Sequence, residues 1–372
     1  MTTTYHAEHV GSLLRPRWLL AAREACEQGT LPLAELRATE DRAIEENIAL
    51  QRDAGVQIYT DGEARRESWR AGLMESIDGV VPAPRTMTWF RDGKEVPPEE
   101  AVSDGVAASA KVSRKGDLSR VEARFMASHA PGEFKITMIS ASMGGMIWEP
   151  RISGPVYPTP ADLIEDLVPL QLAEIDTMVG LGVRRIQLDS LAYNVVIDTR
   201  RDDRIRGVQS AEQLLDATIA VDARIVRAVK DKHPEVTVGL HICRGNARSS
   251  WASQGSYEPV AERLFSEVPV DRFLLEYDTE RAGGFEPLRF AGGGANTPTV
   301  VLGLITTKVP QLEDPDELCR RIDEAARYVP LENLALSPQC GFASGMLGNL
   351  ITVDDERRKL DLVTSVADRV WS

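Results

Sequence analysis

His241 and Cys243 stand two residues apart in the run Val238-Gly239-Leu240-His241-Ile242-Cys243-Arg244-Gly245-Asn246. The run opens as an apolar, β-leaning stretch, and a strand sends alternate side chains to one face, so the imidazole and the thiol project together from its end. That pair of donors suits borderline-soft Zn²⁺. Two further candidates lie downstream: Glu276, which ends Leu274-Leu275-Glu276-Tyr277, and Cys340, in Ser337-Pro338-Gln339-Cys340-Gly341-Phe342. One histidine, two cysteines and a carboxylate would give a zinc site with two thiolates. Such an electron-rich site activates water poorly but suits a substrate thiol, whose pKa it lowers. Glu276 would be the ligand that the thiol displaces. Plainer readings run alongside. A cysteine in an apolar strand is commonly a small core residue, and Glu276 would equally be a strand-end charge satisfied by Arg281. Cys26 and Cys319, inside helical patterns, read as core; His6, His129 and His233 read as surface or loop residues.

Whether these residues meet depends on the elements that carry them. Helical patterns cover Pro16 to Gln28 and Leu33 to Ala54, the second stopped by Gly55. Val56–Thr60 reads as a strand ending at Asp61-Gly62-Glu63, and Lys135–Ser140 as another. A helix from Pro160 to Val179 precedes the strand Arg185–Asp189, and Ser210 caps a helix that runs to about Lys232. Further strands are expected at Val236–Leu240, Arg272–Leu275, Thr299–Ile305 and Asn333–Leu336, with the opening segment counted as the first. Strands alternating with helices predict an α/β fold with a parallel sheet. Eight repeats predict a single (β/α)8 TIM barrel spanning residues 1–372. A doubly wound sheet is the runner-up, but the glycine-rich phosphate turn expected after its first strand is absent. The strand ends carry His9, Asp61, Glu63, Asp189, His241, Cys243, Glu276, Lys308 and Cys340, and barrel enzymes build their sites at that rim.

Two stretches break the rhythm. A long insertion follows the second strand, roughly fifty residues at about 80–134 and far beyond a usual βα connection. Within it Thr86–Lys94 reads as a strand entering a hairpin turn. A lid or a homo-oligomer contact would each explain this insertion. Gly245–Tyr257 leaves the candidate ligand strand directly and would close over a substrate.

Composition narrows the partners. The 372 residues are 43% apolar, enough for a large core, and carry a formal charge of −14. An acidic surface repels nucleic acid and anionic membrane alike. No apolar run approaches the ~20 residues that span a bilayer, and Met1–His6 shows no basic or apolar leader pattern. Four dispersed cysteines do not suggest a disulfide framework. These observations point to a reduced, cytoplasmic, soluble protein.

The same motifs carry a family resemblance. Leu240-His241-Ile242-Cys243, Leu275-Glu276 and Pro338-Gln339-Cys340-Gly341-Phe342 resemble the zinc motifs of cobalamin-independent methionine synthase. His9-Val10-Gly11-Ser12-Leu13-Leu14-Arg15-Pro16 and Thr60-Asp61-Gly62-Glu63 resemble the opening motifs of its catalytic barrel. The similarity spans His9 to Trp371 and is greatest to the short, single-barrel members, which are related to epoxyalkane:coenzyme M transferase. It implies a zinc-dependent methyl or alkyl transfer to a thiol, with His241, Cys243, Glu276 and Cys340 as metal ligands. It also implies that Ser12, Glu63 and Asp189 hold the amino-acid part of homocysteine, the two carboxylates receiving its ammonium group.

Departures from the family pattern bear on the substrate. Lys308 stands where the long enzymes carry a histidine acid, and Arg244 where they carry a tyrosine. Lys308 would protonate or steady the leaving group. Arg244 would suit a carboxylate or sulfonate, so the thiol is homocysteine or an anionic thiol such as coenzyme M. Trp148 is the candidate for stacking on a methyl-folate donor; a corrinoid carrier or an epoxide are the other donors the resemblance implies. A different class of reading is a non-catalytic barrel whose zinc is structural.

Overall fold

The computed structural model describes residues 5–103, 105–116, 118–198, 200, 210–292 and 297–372. Helices α1 (Arg17–Glu27) and α2 (Leu33–Asp53) come first. Strands β1 (Ile77–Pro82) and β2 (Val106–Arg114) pair antiparallel, and α3 (Leu118–His129) follows. The central sheet is built from β3 (Ile136–Ile139), β4 (Arg185–Asp189), β5 (Thr237–Ile242), β6 (Arg272–Glu276), β7 (Thr299–Ile305) and β8 (Leu334–Pro338). All six are parallel and ordered as in the sequence. Helices α4 (Pro160–Gly180), α5 (Ala211–Lys232), α6 (Glu258–Glu267) and α7 (Pro315–Ala325) connect them, and α8 (Val353–Trp371) ends the chain.

Local chemistry explains the boundaries. Thr159, Ser210 and Thr352 each close a capping box at the head of α4, α5 and α8, satisfying N–H groups that a helix start leaves free. Parallel strands covered on both faces read as continuous apolar runs. One face of the sheet, with Phe273, Leu275, Val300, Leu302, Leu334 and Leu336, joins the large core. The opposite face carries the small cluster Leu274, Val301 and Ala335, beside polar side chains such as Gln187, Asp189 and His241.

The expected first two strands are single parallel bridges, not ladders: Ala7 pairs with Leu336 beside β8, and Tyr59 with Phe134 beside β3. A side chain replaces the ladder at Thr60. Gln51 Oε1 accepts the Thr60 N–H at 2.8 Å and Gln51 Nε2 donates to its carbonyl at 2.9 Å. The two segments also meet, with Leu13 N–H bonding the Gly62 carbonyl at 3.0 Å and the Thr60 hydroxyl bonding the Gly11 carbonyl at 2.7 Å.

Between residues 77 and 129 the chain forms β1, β2 and α3, and the hairpin expected near Thr86–Lys94 is present. Phe90–Arg91 pairs with Lys94–Glu95 around Asp92 and Gly93, whose φ angles of 52° and 74° are those a tight primed turn requires. The hairpin lies on the segment after β5: Phe90 bridges to Trp251, and the two rings stack with centroids 4.6 Å apart.

Candidate metal centre

The period of a strand delivers what it predicts at the end of β5. His241, Cys243 and Cys340 are all buried, and their ligand atoms lie within 4.8 Å of one another. The two sulfurs are 3.7 Å apart. His241 Nδ1 lies 3.1 Å from the Leu274 carbonyl. A carbonyl only accepts, so that contact places a proton on Nδ1 and leaves Nε2 as the nitrogen available to a metal; burial lowers the imidazole's pKa, but Cys340 and Asp189 outweigh it and hold it above its ordinary value. Nε2 is buried without a hydrogen-bond partner. An orphaned imidazole nitrogen beside two sulfurs fits a borderline-soft metal ion. The sulfurs themselves are unlike: through their mutual hydrogen bond the Cys340 thiol is held well below its ordinary range and that of Cys243 well above it. Gly245 N–H donates to Cys243 Sγ at 3.4 Å, a further support for negative sulfur.

Glu276 stands beside this cluster rather than within it. It is fully buried; Oε2 accepts the Arg244 N–H at 2.7 Å, and Oε1 lies 2.7 Å from Arg281 Nη2. Burial opposes its ionisation, but Lys308, Arg281 and Arg244 together outweigh burial and hold the carboxyl below its usual range. Lys308 is buried, with Nζ 3.9 Å from Asp278 Oδ2 and no hydrogen-bond partner.

Asp189 ends β4 in register with His241. Burial pushes its carboxyl up to about 7; His241 draws it down, while the Glu63 charge adds to the rise. Glu63 is buried in the left-handed region at φ 56°, a strained conformation for a side chain of this size. Its Oε1 accepts from the Thr137 hydroxyl at 2.7 Å, and Oε2 is unpartnered. Ser12 buttresses the Cys340 loop: its carbonyl accepts the Phe342 N–H at 2.9 Å and its hydroxyl the Ala343 N–H at 3.3 Å. A Cβ at Gly341 would come within 2.0 Å of that hydroxyl, so this approach needs glycine.

Two expected substrate residues have other partners. The Arg244 guanidinium is fully buried, lies 4.0 Å over the Tyr257 ring and donates to the Gly255 carbonyl through Nε and Nη2. It braces the segment after β5 from within. Trp148 packs against the main core and donates its indole N–H to the Tyr157 carbonyl at 2.8 Å. His9 is a core residue, bonded to Gln51 at 2.9 Å, its pKa lowered by burial to about 3.

Several partners escape sequence reasoning. Asn246 donates to the Gly341 carbonyl at 2.7 Å and so ties the Cys243 segment to the Cys340 loop. Asn349 holds Ser249 N–H at 2.8 Å, beside Arg248 and Ser249 at φ 46° and 64°. Nothing in their spacing announces these contacts, which link residues about a hundred positions apart. Asp278 alone gives a hint, being two residues beyond Glu276.

No family model matches the chain. A Bacillus subtilis protein, the uncharacterized YxjH, is 34% identical over 373 residues, covering 99% of this chain and 95% of its own. The methionine synthase of Pyrococcus abyssi is 25% identical over 335 residues, 89% of this chain and 84% of its own. Among solved structures, a Listeria monocytogenes protein provisionally assigned as a vitamin-B12-independent methionine synthase superposes with a TM-score of 0.73 at 27% identity, over 100% of this chain and 99% of that one. The B12-independent methionine synthase of Shewanella sp. W3-18-1, in complex with selenomethionine, gives a TM-score of 0.74 at 18% identity, over 99% and 98%.

Proposed function

The chain belongs to the cobalamin-independent methionine synthase superfamily, and from that premise we propose that it is a zinc-dependent S-methyltransferase acting on homocysteine. The observation that carries this reading is the convergence of His241 Nε2, Cys243 and Cys340, with that nitrogen buried and unpartnered. Those three residues would hold the zinc ion, with Glu276 as a fourth, displaceable ligand. Bound there, zinc lowers the pKa of the acceptor thiol and keeps it as a nucleophilic thiolate at neutral pH.

The remaining roles fall to protein side chains. Asp189 and the free oxygen of Glu63 receive the ammonium group of homocysteine, and Ser12 shapes the wall beside the Cys340 loop. Lys308, a buried cation without a hydrogen-bond partner, steadies the leaving donor, a methyl-folate or a corrinoid carrier. We also read segments 6–8 and 58–60 as the outer two staves of one closed eight-stranded barrel, a single unit of 372 residues. Its four cysteines are free, in keeping with a reducing cytoplasm.

Two alternatives have less support. Coenzyme M as acceptor requires Arg244 to hold a sulfonate, whereas its Nε and Nη2 are held by the Gly255 carbonyl and its face by Tyr257, leaving Nη1 alone for an anion. A purely structural zinc needs four tightly held protein ligands, whereas the cluster comprises three. The test is zinc analysis of the purified protein with calorimetric titration of homocysteine and coenzyme M. One zinc per chain, with homocysteine binding and releasing a proton, is expected. A preference for coenzyme M would move the assignment to the alternative acceptor, and no zinc with no response to either thiol would reject both.

A further inference from the structure

The charges buried around Glu276 carry one step more, which rests on its role as the displaceable ligand proposed above. A displaced carboxylate in a dry interior is costly unless a cation receives it. Arg281 is such a cation. Its Nη2 is 2.7 Å from Glu276 Oε1 and 3.3 Å from Asp278 Oδ1. Arg281 is itself fixed to the segment that follows Cys243: its carbonyl accepts the Gly255 N–H at 2.8 Å, its Nη1 donates to the Ser253 carbonyl at 3.3 Å, and its guanidinium lies 5.0 Å over Trp251. Asp278 and Lys308, 3.9 Å apart, add a second carboxylate and a second cation to this group, and the buried Arg244 lies beside Glu276 as well. Asp278 Oδ2 and Lys308 Nζ have no hydrogen-bond partners, so both remain available to a carboxylate or cation that changes place.

We infer that Arg281 is the second seat of the Glu276 carboxylate, the place it occupies whenever the acceptor sulfur holds its position at the metal. The acceptor would enter as a thiol and lose its proton to solvent. Its sulfur would take the position that Glu276 leaves, and Glu276 would pair with Arg281. With Glu276 turned to a bound metal, Asp278 would keep Arg281 neutralised and in place. Arg281 is thus a positioning residue, one that sets thiol affinity through Glu276 and touches neither substrate.

A double-mutant cycle tests this on the cobalt(II)-substituted full-length protein, reading homocysteine affinity from the sulfur-to-cobalt absorption band. Arg281→Met should keep full metal content and weaken homocysteine at least about tenfold, because the displaced carboxylate loses its cation. In the Glu276→Gln background, where no charge needs a seat, the same change should shift affinity by less than about twofold. Equal weakening in both backgrounds, or none in either, overturns the inference. Should Arg281→Met fold poorly, Arg281→Lys retains a cation, and its smaller loss must likewise vanish beside Glu276→Gln. Wild-type protein that takes up metal but shows no spectral response to homocysteine would sink the proposed function itself, a result read without any Arg281 variant.

Discussion

Asp189 and His241 are register partners on adjacent parallel strands, so a carboxyl raised to about 7 sits beside the imidazole that faces the two sulfurs. An ammonium group pairs with Asp189 only when that carboxyl is ionised. Homocysteine affinity should therefore fall as pH drops below about 7, through protonation of Asp189. Asp189→Asn should weaken homocysteine by roughly 10- to 100-fold at pH 8, the worth of a charge-assisted hydrogen bond. It should leave zinc content unchanged and flatten the acid side of the profile. Calorimetry across pH 6 to 9 checks both points, and an unaltered profile in the variant would remove Asp189 from substrate recognition.

In the proposed zinc site the two sulfurs would set the hold on the metal. Cys243→Ser and Cys340→Ser each replace a thiolate by a hydroxyl that stays protonated at neutral pH, and a hydroxyl is a poor ligand for a borderline-soft ion. Each variant should lose zinc on dialysis against a chelator that leaves the wild type loaded, and each should lose methyl transfer with it. Elemental analysis after dialysis is the measurement. Retention of both metal and turnover by Cys243→Ser would refute the metal-site assignment.

At the opposite end of the strands, a buried charge network bears on stability. Lys135 Nζ donates to Glu8 at 2.8 Å, to the His9 carbonyl at 2.5 Å and to Gln187 at 2.7 Å, and Arg272 holds the other Glu8 oxygen at 2.8 Å. Burial opposes ionisation of Glu8, yet its two cations lower the pKa to about 2. Lys135→Met removes one cation from this buried carboxylate and should cost ~3 kcal/mol. The folded pKa of Glu8 lies below its ordinary value of 4.5. Its contribution is therefore complete above that value and is lost as pH falls toward 2. Denaturant melts of the wild type at pH 7 and pH 3 should show that loss, and Lys135→Met should show less of it.

Strand period makes His241 and Cys243 legible, and the same period sends Arg244 the other way. The residue after Cys243 turns to the opposite face, and its guanidinium lies over the Tyr257 ring. Trp148 caps the C-terminus of a short 3-10 helix, Ala141–Ile147, where strand period does not reach. Six strand positions are plain in the sequence because each carries a short run of apolar residues between helical patterns. The two flanking ones are overextended there, since Gln51 satisfies the Thr60 backbone from a helix, and propensity cannot reveal that. The Glu8–Lys135–Arg272 network joins residues 127 and 264 positions apart, and charge order along the chain holds no trace of it. The sequence supports two readings of Glu276, as ligand and as partner of Arg281; its geometry shows the second contact directly.

Glu356 is a buried carboxyl of α8 whose Oε1 accepts the Leu14 N–H at 2.9 Å, two residues beyond Ser12. Burial raises its pKa from 4.5 to about 8; the Leu14 hydrogen bond and the Arg15 charge only partly offset this. A raised acid is held protonated by the fold, so folding favours its neutral form. Its effect is most favourable below pH 4.5 and worsens as pH climbs toward 8, where the fold must bury a charge. Glu356→Gln keeps a carbonyl for Leu14 and cannot ionise. The variant should match the wild type near pH 4.5 and exceed its stability at pH 7 by on the order of 3 kcal/mol, since each step of one in pH across that interval adds about 1.4 kcal/mol. Urea melts at the two pH values decide it: an advantage that does not grow with pH would mean that Glu356 is ionised in the folded protein and satisfied by its neighbours.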